Sequence, residues 1–185
     1  MLVEALHVRG SIENLYLYSC SIDDIAALEQ CALPHLQLLN LNSIQSIPSL
    51  ENHTNLEYLY LCGNKIGRVG CQSIAKMLEK DGSRLNYIDL DSNNVGDEGA
   101  EILADALKCN TSLQTLDLQG DNDITEKGYR EFLKLVNDVS SIERTYYSNH
   151  TLKYLMLPES ANEAIQEMTK HINCAISVNK RSEGN

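Results

Sequence analysis

Asp89, Asp91 and Asp117 are the side chains best placed by type and spacing to do chemistry in this chain. Asp89 and Asp91 stand two residues apart, on one side of an extended segment. Asp117 returns 28 residues after Asp89 in a matching stretch of sequence. Carboxylates gathered in this way could hold a divalent ion through oxygen ligands, or attract a basic partner segment and speed its approach. The docking patch is the stronger expectation. Tyrosines accompany the acids at Tyr16, Tyr18, Tyr58, Tyr60, Tyr87 and Tyr154. A tyrosine offers a large apolar face, few rotors and a polar tip, which suits it to partner contacts. Nucleophilic and zinc chemistry find little support. His7, His35, His53, His150 and His171 never fall at a zinc spacing with a cysteine or carboxylate. His35 and His53 stand at turn boundaries, where a solvated or capping role is expected. Cys62 has no histidine aligned with it as a base. The expectation is therefore no catalytic residue, no metal, no cofactor and no enzyme activity.

The elements that carry these residues repeat. Leu56-Glu57-Tyr58-Leu59-Tyr60-Leu61-Cys62-Gly63-Asn64-Lys65-Ile66 returns as Leu85-Asn86-Tyr87-Ile88-Asp89-Leu90-Asp91-Ser92-Asn93-Asn94-Val95, and again from Leu113 to Ile124, at offsets of 29 and 28 residues. Units of that length describe a solenoid. Each opens with an alternating L-x-x-L-x-L segment, the pattern of a half-buried strand. Leu59 and Leu61 then point inward, while Tyr58, Tyr60 and Cys62 point outward. Across successive units the position between the two strand leucines reads Tyr16, Asn40, Tyr60, Asp89, Asp117 and Met156. The neighbouring outward position reads Asn14, Leu38, Tyr58, Tyr87, Thr115 and Tyr154, and Tyr18, Cys62, Asp91 and Gln119 follow the strands. The outward face thus runs from aromatic to acidic. Tyrosine and aspartate also suit solvent-facing strand positions without any partner, so a docking face and a solvated face both remain open.

A polar residue follows each strand where the chain turns and its amides leave the sheet. Asn64 and Asn93 fill that place, and Cys20 fills it in the first unit. A buried asparagine there satisfies backbone groups of its own and the neighbouring turn. In the fifth unit Asp121 stands at the expected spacing and Asn122 one residue late, which predicts a one-residue bulge. Three units continue with a helix: Gly67, Gly70, Ile74, Ala75 and Leu78 match Gly96, Gly99, Leu103, Ala104 and Leu107, and Gly128, Phe132, Leu133 and Val136 follow suit. Glycine permits a tight turn into the helix. No Lys-Ser or Lys-Thr pair makes a phosphate loop of it. Units start near residues 12, 36, 56, 85, 113 and 152. The unit from Leu36 to Leu50 is too short for a full helix and contains Pro48, so a kink is expected near residues 42 to 52. Residues 138 to 150 fill an extended connection. A last helix spans 160–172, with Ser160 and Glu163 at capping-box spacing. Residues 173 to 178 form a final partial turn, and a tail over 180–185 frays.

Leu85-x-x-Ile88-x-Leu90-x-x-Asn93-x-Val95, with Gly96, Gly99, Leu103, Ala104 and Leu107 behind it, resembles the leucine-rich repeat family. The 28 and 29 residue units resemble its ribonuclease-inhibitor-like subfamily. The similarity runs over residues 12 to 178, and the overall look is similar to small repeat proteins of algae and other protists. The resemblance implies an α/β leucine-rich repeat solenoid, a horseshoe with a parallel β-sheet on its concave face and helices on its convex face. It implies a non-catalytic interaction module or scaffold that binds a protein on a concave Tyr/Asp-rich face. Two alternatives come with it: a GTPase activator resembling the Ran activators, and a self-associating repeat protein with no ligand on its concave face.

At 185 residues the chain suits a single domain with a continuous core. A formal charge of -11 repels nucleic acid and anionic lipid. No apolar run has membrane-spanning length, and the first residues lack the pattern of a secretory signal. The six cysteines (Cys20, Cys31, Cys62, Cys71, Cys109, Cys174) read as reduced packing residues of a cytoplasmic protein. Asn52, Asn110 and Asn149 head glycosylation sequons, which matter only in the secretory pathway. The expected partner is a protein with a basic segment, or a second copy of the chain meeting an open solenoid end.

Overall fold

Alternation of apolar and polar residues sets one strand per unit, and the strands stack side by side. The computed structural model describes residues 12–18, 33–42, 47, 50, 52–137, 148–160 and 162–181, together with Leu28. Its strands are β1 (Asn14–Tyr18), β2 (Leu38–Asn42), β3 (Tyr58–Tyr60), β4 (Tyr87–Asp89), β5 (Thr115–Asp117) and β6 (Tyr154–Met156). They form one parallel sheet in the order β1-β2-β3-β4-β5-β6. The helices are α1 (Gly67–Glu79), α2 (Gly96–Leu107), α3 (Glu126–Val136) and α4 (Glu163–Arg181). Each helix packs on the next along the array. The fold is therefore an alternating strand and helix solenoid of the kind the repeats require.

The register aligns the unit positions across the whole sheet. Leu15, Leu39, Leu59, Ile88, Leu116 and Leu155 are successive partners. The last five are buried, as are Leu41, Leu61, Leu90, Leu118 and Leu157 two positions on. Helix residues Ile74, Leu78, Leu103, Leu107, Phe132 and Leu135 close the core from the other side. The interior is one continuous hydrophobic column, which is why neighbouring units stabilise one another.

Glycine governs how the helices approach. Gly96 leads into α2 at φ +65°, a left-handed conformation that other residues adopt at a cost. At Gly99 a Cβ would lie 2.8 Å from Val95 Cγ1 and 2.9 Å from Cys71 Sγ, so the bare backbone lets α2 press against α1. The third helix is capped differently. Asp97, in the first turn of α2, reaches across to the start of α3. Its Oδ1 accepts the amides of Thr125 (2.8 Å) and Gly128 (3.0 Å), and its Oδ2 accepts the Thr125 hydroxyl (2.6 Å). Burial would raise this carboxyl, but those bonds and Lys127 hold it below the usual carboxylate range.

Several expectations change here. The last helix does not stop at residue 172. It continues to Arg181 and absorbs the segment 173–178, because Ile172 and Ile176 keep the apolar stripe one turn further and both are buried. Its N-terminus is not a Ser160/Glu163 capping box either. Asn162 Oδ1 accepts the amides of Ala164 (2.8 Å) and Ile165 (3.3 Å), while Ser160 Oγ accepts only the Asn162 amide. Among the cysteines, Cys71 packs in the core, whereas Cys62, Cys109 and Cys174 are exposed and all four are free. Cys20, Cys31, residues 138–147 of the connection, much of the expected kink and the tail 182–185 lie outside the described residues.

Candidate functional site: an aromatic and acidic sheet face

Parallel pairing brings the outward residues into two columns. Tyr16, Asn40, Tyr60, Asp89, Asp117 and Met156 are successive register partners, and so are Asn14, Leu38, Tyr58, Tyr87, Thr115 and Tyr154. Tyr16 and Tyr154 are each more than half exposed, and Tyr58 is exposed at 39%. Tyr60 and Tyr87 are half-buried because they lean on one another, with ring centroids 5.1 Å apart and planes tilted by 39°. That offset contact stiffens the centre of the face. Tyr18 is paired with Asn42 in the register, but its side chain lies outside the described residues.

Asp89 and Asp117 are locked as well as adjacent. Asp89 Oδ1 accepts the Asp91 amide and Asp117 Oδ1 accepts the Gln119 amide, each at 3.0 Å. Asp91 accepts the Ser92 hydroxyl. Burial raises the Asp89 carboxyl first, and the charges of Asp117 and Asp91 raise it further, against the lowering by the Asp91 amide. Asp117 is raised by burial first and then by Asp91. The same negative field acts on the neighbours. Burial, then Asp89 and Asp117, push the Tyr87 phenol up to about 12. Burial followed by the three aspartates raises the Cys62 thiol, the opposite of what a nucleophilic cysteine needs. Among the described residues, no ion pair joins Asp89, Asp91 or Asp117 to a lysine or arginine. Nor does any group of three or more His, Cys, Asp or Glu side chains there stand ready to hold a metal.

Raised carboxylates have a measurable consequence. The folded state holds the Asp89 and Asp117 protons more tightly than the unfolded chain, so stability falls as pH rises from the ordinary value of 3.8 through the raised folded values. Above that window the penalty is constant. Asp117→Asn, which keeps the acceptor for the Gln119 amide, should therefore stabilise the fold at neutral pH by up to about 1 kcal/mol, as for other solvent-open charge contacts. Urea denaturation at neutral pH and again at about pH 3.5 should show that gain vanish in acid.

The structural ladder corrects one assignment. Asn64 donates to the carbonyls of Leu41 (2.9 Å) and Leu61 (2.5 Å), and Asn93 donates to Leu61 (2.8 Å) and Asp91 (3.0 Å). In the fifth unit the ladder residue is Asn122, not Asp121. Asn122 is fully buried, while Asp121 is exposed and gives only its carbonyl to the Asn94 amide. Asn122 Oδ1 accepts the amides of Asn93 (2.9 Å) and Val95 (3.2 Å), and its Nδ2 donates to Leu90, Leu118 and Gln119. The extra residue loops out, with Gly120 at φ +65° and Asp123 at φ +50°. Asparagine wins the buried place because it both donates and accepts, whereas an ionised aspartate would face three carbonyls. Cys20, the expected first member, lies outside the described residues.

A second asparagine ladder runs along the turns that lead into the strands. Asn110 Nδ2 donates to Leu78 O at 2.8 Å and its Oδ1 accepts the amides of Ser112 and Leu113. Asn149 Nδ2 donates to Leu107 O at 2.7 Å and its Oδ1 accepts the amides of Thr151 and Leu152. In the sequence both stand only as sequons. Their position three residues before a strand leucine, in Asn110-Thr111-Ser112-Leu113 and Asn149-His150-Thr151-Leu152, is the signal that could have found them.

A protein-family model described as Leucine Rich repeat matches residues 52–75 and 85–104. These two segments carry leucine-rich repeats. The chain is similar to ribonuclease-inhibitor-like proteins. Ribonuclease inhibitor of Sus scrofa is 29% identical over 134 residues, covering 72% of this chain and 26% of that protein. "NACHT, LRR and PYD domains-containing protein 3" of Homo sapiens is 27% identical over 186 residues, covering 90% of this chain and 17% of that protein. The chain thus spans 17% to 26% of the length of these curated relatives. Among solved structures, "Leiomodin-1 Actin-Binding Site 2 (ABS2)" superposes with a TM-score of 0.66 at 19% identity, covering 89% of this chain and 95% of that one, a likeness of leucine-rich repeat fold. No helix among the described residues is long and apolar enough to cross a membrane.

Proposed function

We propose that the sheet face is the concave wall of an open horseshoe and docks a protein segment bearing basic side chains. The observation that carries this reading is an uncompensated carboxylate column beside stacked tyrosines. Asp89 and Asp117 each spend one oxygen on a strand-exit amide, and no described cation is paired to either. The carboxylates repel one another, so a guanidinium or ammonium from a partner relieves a strain the free protein carries. Tyr60 and Tyr87 give the same cation an aromatic surface, and Tyr58, Tyr16 and Tyr154 extend the contact along the array. The chain acts as a scaffold, without chemistry of its own. We place it in the cytoplasm, where the exposed thiols of Cys62, Cys109 and Cys174 stay reduced.

Fluorescence anisotropy with a labelled peptide of alternating arginine and serine tests this, with its glutamate counterpart as control. The arginine peptide should bind, and binding should weaken with salt. Asp89→Asn with Asp117→Asn, and separately Tyr60→Ala with Tyr87→Ala, should each weaken it by about tenfold or more. Glu98→Gln with Glu101→Gln, on the helix side, should leave it unchanged. Equal affinity in all four proteins would remove the sheet face as the docking site.

A further inference from the structure

His53 occupies an odd place in the second ladder. The positions three residues before each strand leucine are Leu33, His53, Gly82, Asn110 and Asn149. Asn110 and Asn149 reach back with their amides to the previous helix. Gly82 has no side chain with which to do so, and the imidazole before it gains no amide partner. His53 is only 4% exposed, and neither ring nitrogen has a hydrogen-bond partner. Its backbone, in contrast, is a keystone. The His53 amide donates to Leu50 O at 2.9 Å and its carbonyl accepts the Leu56 amide at 3.1 Å.

The ring lines a cavity of about 20 Å³ between the Leu50–Leu56 turn, the C-terminal end of α1 and the turn after it. Leu50, Leu56, Met77 and Leu85 supply its apolar wall, and Lys80, Asp81 and Arg84 are the charged groups facing it among the described residues. An imidazolium here would be a charge buried beside apolar side chains, which costs more than burying the neutral ring.

We propose that His53 is an acid-sensitive latch joining the β1–β2 end of the solenoid to the regular units that begin at β3. When the ring takes a proton it leaves the cavity, the Leu50–Leu56 turn opens, and the β2–β3 pairing through Leu38↔Tyr58, Leu39↔Leu59 and Asn40↔Tyr60 is released. The latch frees a parallel strand edge and the buried Leu39–Leu59 contact for another chain. Units from β4 onward keep their own ladders and stay closed. Desolvation of the buried ring lowers its pKa from the ordinary value of 6.5, and the Leu50 backbone nearby offsets only part of that lowering. The sign follows: the open state binds the proton and the closed state does not, so closure weakens as pH falls below 6.5 towards the lowered folded value.

Proton linkage limits the effect to about 30-fold in the closing equilibrium between about pH 8 and pH 5. Hydrogen exchange across that range should accelerate at the Leu39 and Leu59 amides far more than at α2 amides. His53→Leu, which fills the cavity without a titrating group, should abolish the extra acceleration. Parallel pH profiles for the two proteins, or equal acceleration in α2, would overturn the latch. If His53→Leu does not fold, the imidazole shifts of the wild-type protein decide by NMR: titration at or above pH 6.5 refutes the proposal, and a midpoint well below it upholds it.

Discussion

Asn122→Ala is expected to cost about 4 kcal/mol, while Asp121→Ala next to it stays within about 0.5 kcal/mol. Five hydrogen bonds converge on the Asn122 side chain. Alanine leaves the amides of Asn93 and Val95 without that acceptor, and the carbonyls of Leu90 and Leu118 without that donor, in a site closed to water. Each buried group so orphaned costs roughly 1–3 kcal/mol, and partial relaxation keeps the total below the sum. Asn122→Asp retains the acceptor and replaces the donor with a charge facing carbonyls. It should be at least as damaging at neutral pH and partly recover in acid, where the carboxyl takes a proton. Denaturant titration of the four proteins checks the order wild type, Asp121→Ala, Asn122→Ala, Asn122→Asp. Equal losses at positions 121 and 122 would return the ladder to Asp121.

Asn149→Ala should cost about 3 kcal/mol, against less than about 0.5 kcal/mol for Asn52→Ala. Both residues head a sequon, and only their surroundings separate them. Asn52 is exposed. Asn149 is 4% exposed and ties the turn before β6 to the end of α2 through Leu107, while receiving the amides of Thr151 and Leu152. This side chain adds a buried polar tie between the last unit and the end of α2, beside the β5–β6 pairing and the packing of α4 on α3. Its loss should lower the thermal midpoint by more than about 4 °C. It should also raise hydrogen exchange first in β6 and α4. Loss of stability spread evenly over all units would contradict that local role.

The positions that recur most strongly in the sequence are the ones that packing also dictates. Strand leucines recur because each must meet its counterpart in the next unit, and the register pairs Leu39, Leu59, Ile88, Leu116 and Leu155 in line. The two outward columns follow from the same two-residue alternation, so Tyr58, Tyr60, Tyr87, Asp89 and Asp117 could be placed on one face from spacing alone. The end of α4 was harder to read because no proline or glycine marks residue 172, and the apolar stripe through Ile176 decides where the helix keeps packing.

By itself the sequence determined the strand and helix solenoid, the parallel order of its strands and the composition of its outward face, because all three depend on periodicity. Only the tertiary structure decided which polar residues are buried. Asn122 displaces Asp121 because a looped-out residue shifts the ladder by one, and a neutral amide can satisfy donors and acceptors together. Asn110 and Asn149, which the sequence marks only as sequons, are structural ties because a carbonyl of an earlier helix lies within reach. His53 changes from a solvated turn residue to a buried, unpaired one because no neighbouring side chain answers it. Those outcomes depend on groups 29 to 42 residues away in the chain, a distance at which local pattern carries no information about hydrogen bonding.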